Sequence, residues 1–175
     1  MPREIAHHGA VIDAIRSSGL LSELLETHEN HYKYELDLEL IVYGRTYADK
    51  RVGPYARLLV FSSGEEIIHE RDWGGNQFYI LIDGKLDVYK EDRQGISRKV
   101  GEIELQNGFG EMSVLAGQPR NATVVVPAGS EATILEIERP ALRLLRKLKK
   151  FGDRLEQNYR SHGLNHALLD IQEAT

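Results

Sequence analysis

The stretch "QFYILIDGKLDVYKEDRQGISRKVGEIELQ", Gln77 to Gln106, sets the texture of the chain. Short β-branched and aromatic runs alternate with glycine-bearing breaks, as in "FYILIDG", "KLDVYKED", "RQG" and "SRKVGEIEL". Such runs favour a pleated, half-buried backbone. "FYILIDGKLDVY" reads as a hairpin with Asp83-Gly84 as its tight turn, "RQG" closes the next turn near Gly95, and "SRKVGEIEL" is a strand pair or a strand bent at Gly101.

The pattern continues on both sides. Upstream lie "ARLLVF" and "SSGEEIIHE"; downstream lie "ATVVV", the turn "PAGS" and "EATILEIE". About eight short strands with turns every 8–12 residues predict an all-β barrel or sandwich over 55–139. Helices flank it. Val11, Ile12, Ile15, Leu21, Leu24 and Leu25 recur at helical spacing, with "SSG" breaking the run. They predict one helix from about Ile5 to Ser17 and another from about Leu20 to Glu26. "HYKYELDLELIVYGRTY" fits both periods, and its tyrosines and strict alternation favour a strand. "ADKRVGP" marks a turn. Pro140 suits the first position of a helix. Ala141, Leu144, Leu145, Leu148 and Phe151 then form an apolar stripe, and Gly152 breaks the helix. The expected organisation is a lead-in of 1–54, a β domain of 55–139 and helices over 140–175.

Composition narrows the function. The 175 residues carry a net charge of −5, so a general nucleic-acid or anionic-membrane surface is not favoured. The absence of cysteine removes disulfides, thiolate catalysis and cysteine zinc sites. No window approaches the ~18 apolar residues of a membrane span. These features fit a cytoplasmic protein. Within 55–139, His69 is the one histidine, so a metal-dependent barrel enzyme lacks its ligand cluster. The expectation is a protein without enzymatic activity and without a bound metal. His162 and His166 stand four apart but have no third ligand, and His69 reads as a structural histidine on a strand. The basic run from Arg143 to Lys150 reads as a solvated helix face. Trp73, in "DWGGN", reads as a loop anchor ahead of an exposed contact.

The chemistry concentrates in "GFGEMSVLAGQPRNATVVV", Gly108 to Val126. Gly108 and Gly110 let the backbone bend and approach a ligand closely. "EMSVL" can form one helical turn, whose free N–H groups suit an anion. Arg120 offers a planar fork of donors for phosphate oxygens. An ionised Glu111 only accepts hydrogen bonds, so it suits a sugar hydroxyl. Acid for hydroxyl and arginine for phosphate describe a nucleotide monoester site. A salt bridge between Glu111 and Arg120 that closes the loop is the plainer alternative.

"FGEMSVLAGQPRNATV" resembles the phosphate-binding cassette of the cyclic nucleotide-binding domain family, with the common spacing from Gly110-Glu111 to Pro119-Arg120. "SSGEEIIHERDWGGNQFYILIDGKLDVY" is similar to the family's opening strands, and the resemblance runs from about Arg57 to Tyr159. It implies an α+β fold: an antiparallel β-roll, jelly-roll-like, with helices before and after it. It implies cAMP or cGMP as ligand. Glu111 would accept from the ribose 2′-hydroxyl and Arg120 would pair with the cyclic phosphate. Ser113, after Met112, would face the phosphate. The backbone of Gly110, Asn121 and Ala122 would line the same anion, and Thr123 would lie near the purine. Asn121 stands where the family has Ala, Ser or Thr, and its side chain could bond phosphate or base, or could crowd the site. Arg71 stands where glycine is usual, which weakens an upstream turn but not the pocket. Tyr159 or Leu164 is the candidate lid over the purine, and Gly152 the candidate hinge.

The function implied is a regulatory sensor that relays binding through its C-terminal helices to an effector domain or protein partner. A homodimer through those helices is compatible with it. The 16 residues after Tyr159 cannot hold a helix-turn-helix, so no DNA-binding domain is expected in this chain. The alternative is a β-roll scaffold or dimerisation module that no longer binds nucleotide.

Overall fold

A computed structural model describes residues 1–18, 38–73, 75–110, 113–114, 117–141 and 153. The elements run in chain order as follows. Strand β1 (Arg3–Glu4) leads into helix α1 (His8–Ser17) and the short helix α2 (Leu38–Val42). Strands β2 (Arg45–Tyr47), β3 (Lys50–Val52), β4 (Ala56–Phe61), β5 (Glu66–Ile68) and β6 (Gln77–Gly84) follow. The remaining strands are β7 (Leu86–Glu91), β8 (Ser97–Ile103), β9 (Gly108–Phe109), β10 (Thr123–Val125) and β11 (Ala132–Glu138). One sheet has the order β1-β4-β11-β6-β9, a second β5-β10-β7-β8, and β2-β3 form a small ribbon. Every pairing is antiparallel. This mostly antiparallel roll with few helices is the fold that the resemblance implied.

The five-stranded sheet is buried on both faces. Leu58, Phe78, Ile80, Leu135 and Ile137 point to one side, where Val11, Ala14 and Ile15 of α1 meet them. Leu59, Phe61, Tyr79, Leu81 and Ile134 point to the other, against Leu86, Val88, Ile103 and Val124 of the second sheet. Successive residues of a strand face opposite sides. A sheet covered on both sides therefore needs continuous apolar runs, which "ARLLVF" and "FYILI" supply. Among the described residues the second sheet packs its apolar face on the first. Its edge strand β8 exposes Ser97, Arg98, Lys99 and Val100. Arg98 Nε bonds Asp92 at 2.9 Å, and Lys99 Nζ bonds both Asp87, at 3.1 Å, and Glu102, at 2.7 Å.

Several expectations need correction. Asp83-Gly84 is not a hairpin turn. β6 pairs with β11 and β9, whereas β7 pairs with β10 and β8, so the chain turns a corner between sheets at Gly84–Lys85. Gly84 has φ +91°, and a Cβ there would collide with the carbonyl oxygen of Glu131 on the adjoining chain. "LELIV" is helical, not extended. Gly44 N donates to Leu40 O at 3.2 Å, the four-residue spacing of a helical turn, and Ile41 and Val42 are buried in the core beside α1. The turn expected in "ADKRVGP" is present as a positive-φ pair, Ala48 and Asp49, and the residues on either side of it pair as β2 and β3. Helix α1 begins at His8, not Ile5. His7 caps it by accepting a hydrogen bond from Ala10 N at 3.2 Å, while Arg3–Glu4 extend the sheet along β4. The helix expected over 20–26 and the stripe beyond Ala141 lie outside the described residues.

Candidate functional site

The site begins with where Arg120 is held. Its side chain is 4% exposed, at the approach to β10. Nη1 donates to Gly110 O at 2.7 Å and Nη2 to Gln77 O at 2.9 Å. Its guanidinium carbon lies 5.9 Å from the centroid of the Tyr79 ring, which stacks on Phe109 at 5.3 Å. A cation over an aromatic face gains electrostatically, more so when desolvated. Burial is the main reason the Tyr79 phenol is pushed up to about 12, with the Glu136 carboxylate adding to it and the Arg120 charge opposing. Tyr79 therefore stays a neutral donor at physiological pH.

Two glycines make room for the guanidinium. A Cβ on Gly110, at φ +86°, would lie 2.8 Å from Nη1, and one on Gly75 would run into Nη2, Cζ and Nε. The sequence reading named Gly110 but not Gly75. The paired glycines of "DWGGN" carried a signal for close approach that the reading took as a loop.

Arg120 also fixes the loop before β6. Its backbone N donates to Asp72 O at 2.8 Å, and its carbonyl accepts from Arg71 N at 2.7 Å. Arg71 takes φ +72°, a left-handed position that is free of cost only for glycine. The Arg71 side chain pairs with Glu91 at 3.0 Å. The turn that carries Arg71 is thus bonded directly to the backbone of the arginine.

The result is a cavity of about 180 Å³ lined by Arg120, Gln77, Tyr79, Gly75 and the segments Ile67–His69 and Asp72–Trp73. His69 was expected on a strand as a structural histidine, and it does have a partner, but at the end of a strand and in solvent. It lies just past β5, exposed, with Nδ1 2.9 Å from Glu66, whose hydrogen bond and charge raise its pKa. Trp73 is 74% exposed, so it is a surface residue rather than a loop anchor.

The other expected residues fall as follows. Ser113 is buried, and its Oγ donates to Pro119 O at 3.4 Å. Ser113 and Val114 are helical. Ala122 is buried, and Asn121 and Thr123 are half-buried. Thr123 Oγ1 accepts from Glu70 N at 2.9 Å, so it braces the same loop from β10. Among the described cavity walls, Arg120 represents the expected set. Glu111, Met112, Tyr159 and Leu164 lie outside the described residues, as do Gly152 and the histidine pair.

Taken together, the fold and site define an antiparallel roll with a buried arginine at a small polar cavity. Residues 58–147, just over half of the chain, match the cyclic nucleotide-binding domain family. The chain belongs to that family. A cAMP-dependent protein kinase regulatory subunit from Mucor circinelloides f. lusitanicus is 28% identical over 162 residues, covering 92% of this chain and 36% of the relative. A cGMP-dependent protein kinase from Plasmodium berghei is 31% identical over 100 residues, or 57% of this chain and 10% of that protein. The chain thus spans about a third of the first relative's length and a tenth of the second's. Among solved structures, the regulatory domain of Toxoplasma gondii PKA with cAMP aligns with TM-score 0.61 at 17% identity, covering 88% of this chain and 50% of that one. The catabolite activator protein of Thermus thermophilus aligns with TM-score 0.53 at 24% identity, covering 69% and 55%. These likenesses bear on the fold.

Proposed function

We propose that the chain is a regulatory module that binds a cyclic nucleotide, cAMP or cGMP, and passes the binding event to an effector domain or a protein partner. The observation that carries this reading is Arg120. A buried guanidinium lining a cavity presents a planar fork of donors there, a shape that suits a phosphate. Two backbone carbonyls now occupy part of its donor set, at Gly110 and Gln77. Gln77 lines the cavity and Gly110 precedes Glu111, so a phosphate that draws on the same donors shifts those segments as it binds. Glu111, the residue after Gly110, takes the ribose hydroxyl in this reading. The chain after Pro140 carries the signal, with a kinase catalytic subunit as the kind of partner the relatives' names favour. No catalytic step is assigned to the module.

A ligand moves a conformational equilibrium only through its different affinity for the two states. The test is therefore binding with a conformational readout. Calorimetry and thermal shift with cAMP and with cGMP should show saturable binding and a rise in melting temperature. No heat and no shift at millimolar ligand would instead favour a β-roll scaffold that has lost its nucleotide.

A further inference from the structure

The β2-β3 ribbon stands apart from the two larger sheets. Among the described residues it pairs with neither of them, and it precedes residues 58–147, which carry the family match. A two-stranded hairpin alone is marginally stable in water. This one is held at its base. Gly44 and Gly53 approach so closely that a Cβ on the first would lie 2.7 Å from the carbonyl carbon of the second. Arg51 Nη2 donates to Tyr43 O, and the Tyr43 ring meets His8 of α1 edge-on, with centroids 4.5 Å apart. At the tip, Ala48 and Asp49 take φ +44° and +67°. A two-residue turn with both φ values positive favours Asn-Gly, and alanine is strained there. Strain kept at an exposed tip points to the residues that the tip presents rather than to stability.

The register decides which residues those are. Arg45 pairs with Val52 and Tyr47 with Lys50, so Arg45, Tyr47 and Lys50 share one face. Tyr47 is 51% exposed, and Lys50 is exposed beside it. Arg45 Nη1 donates to the Tyr47 hydroxyl at 3.3 Å. A hydroxyl that accepts from an arginine keeps its own proton to donate. The Lys50 ammonium has three donors and no acceptor, and it makes no ion pair among the described residues. The ribbon as a whole sets Arg45, Lys50 and Arg51 against the single carboxylate of Asp49, in a chain whose net charge is −5. Its complement is a short run of carboxylates. A long polyanion or an anionic membrane would also meet the acidic remainder of the chain, so a local patch suits a segment of few charges. We propose that the β2-β3 ribbon is a docking surface for an acidic peptide segment of a protein partner, whose carboxylates seat on Lys50 and the Tyr47 hydroxyl.

This surface lies outside the nucleotide cavity, and its test does not depend on the cyclic-nucleotide reading. The probe is a peptide of alternating Glu and Ala, about eight residues long so that it spans the ribbon. A counterpart with Gln for Glu is the control. Each is added to the full isotope-labelled chain and followed by amide NMR. The acidic peptide is expected to shift the resonances of residues 43–52 saturably, less so as salt is raised, and the control is expected to leave them in place. Lys50→Glu is expected to weaken binding about three- to thirtyfold, and Lys50→Arg to stay within about twofold of the parent. Tyr47→Phe, which removes only the hydroxyl, is expected to cost about two- to tenfold. The spectra of these variants should match the parent outside residues 43–52, which separates a lost contact from a lost fold. No saturable shift at the ribbon, equal shifts with the Gln peptide, or unchanged affinity in Lys50→Glu would overturn the proposal. Tighter binding of single-stranded DNA or phosphatidylserine vesicles at the ribbon than of the acidic peptide would overturn it too, in favour of a polyanion.

Discussion

Gly84 and Gly75 both stand where a side chain cannot, but they exclude it for different reasons. At Gly84 the obstacle is main chain: the Glu131 carbonyl, with the backbone itself at φ +91°. At Gly75 the obstacle is the guanidinium of Arg120, the far end of a flexible side chain. The first glycine turns the chain from one sheet into the other. The second gives space to the guanidinium that lines the cavity. Residues of one type, nine positions apart, thus serve the fold in one case and the site in the other.

The largest expected effect breaks the first member of the comparison. Gly84→Ala should cost about 4 kcal/mol or more in urea unfolding, because neither the strand at Ala132 nor the positive φ can relax cheaply. Next comes the charge itself. Arg120→Ala should cost about 2–5 kcal/mol of cyclic-nucleotide binding by calorimetry, as for removing one partner of a buried charge pair. Equal affinities before and after that change would sink the phosphate-clamp role. Gly75→Ala sharpens the contrast. It should lower affinity about tenfold, ~1.4 kcal/mol, by pushing the guanidinium aside, yet change the urea midpoint little. A large loss of stability with intact binding would put Gly75 in the same class as Gly84.

The smallest expected effect lies at the rim. Glu66 raises the His69 pKa above its ordinary 6.5, first by hydrogen bond and then by charge. A raised folded value means the pair's contribution is complete below pH 6.5 and fades as pH rises through the folded pKa. Both groups are exposed, so the effect on stability is slight. An NMR titration should place the His69 midpoint above 6.5, and Glu66→Gln should bring it back toward that value.

The same pair of glycines shows what a reader of the sequence can and cannot see. The strands around Asp83-Gly84 were legible because their apolar runs are local. That the chain changes sheets there was not, because "IDGKLD" carries the signal of a tight turn whether its strands pair with each other or with distant ones. The unbroken apolar run Phe78, Tyr79, Ile80 and Leu81, which suits a sheet covered on both faces, was the available sign. "LELIV" misled in a similar way, since its spacing fits both periods and only packing against α1 decides. At the site, Arg120 was legible from residues within about ten positions of it. The opposite wall was not. Gln77, Tyr79, Gly75 and the loop at Asp72 reach Arg120 only through the roll, across more than forty residues of chain. Arg71 is the clearest case. Its side chain replaces the expected glycine, but its backbone keeps the glycine-like φ of +72° and the bond to Arg120.

Among the described residues β8 ends its sheet, and that has a consequence for how the molecule behaves in a crowd. A strand with an unpaired edge is a template on which another chain can add its own strand, and such growth leads to aggregates. Here that edge carries Arg98 and Lys99, and each is pinned by carboxylates of its own sheet or hairpin. A second strand approaching the edge would have to strip water from those charges or part them from their partners. The ion pairs on β8 add little to stability; their effect is to keep one copy's sheet from continuing into the next.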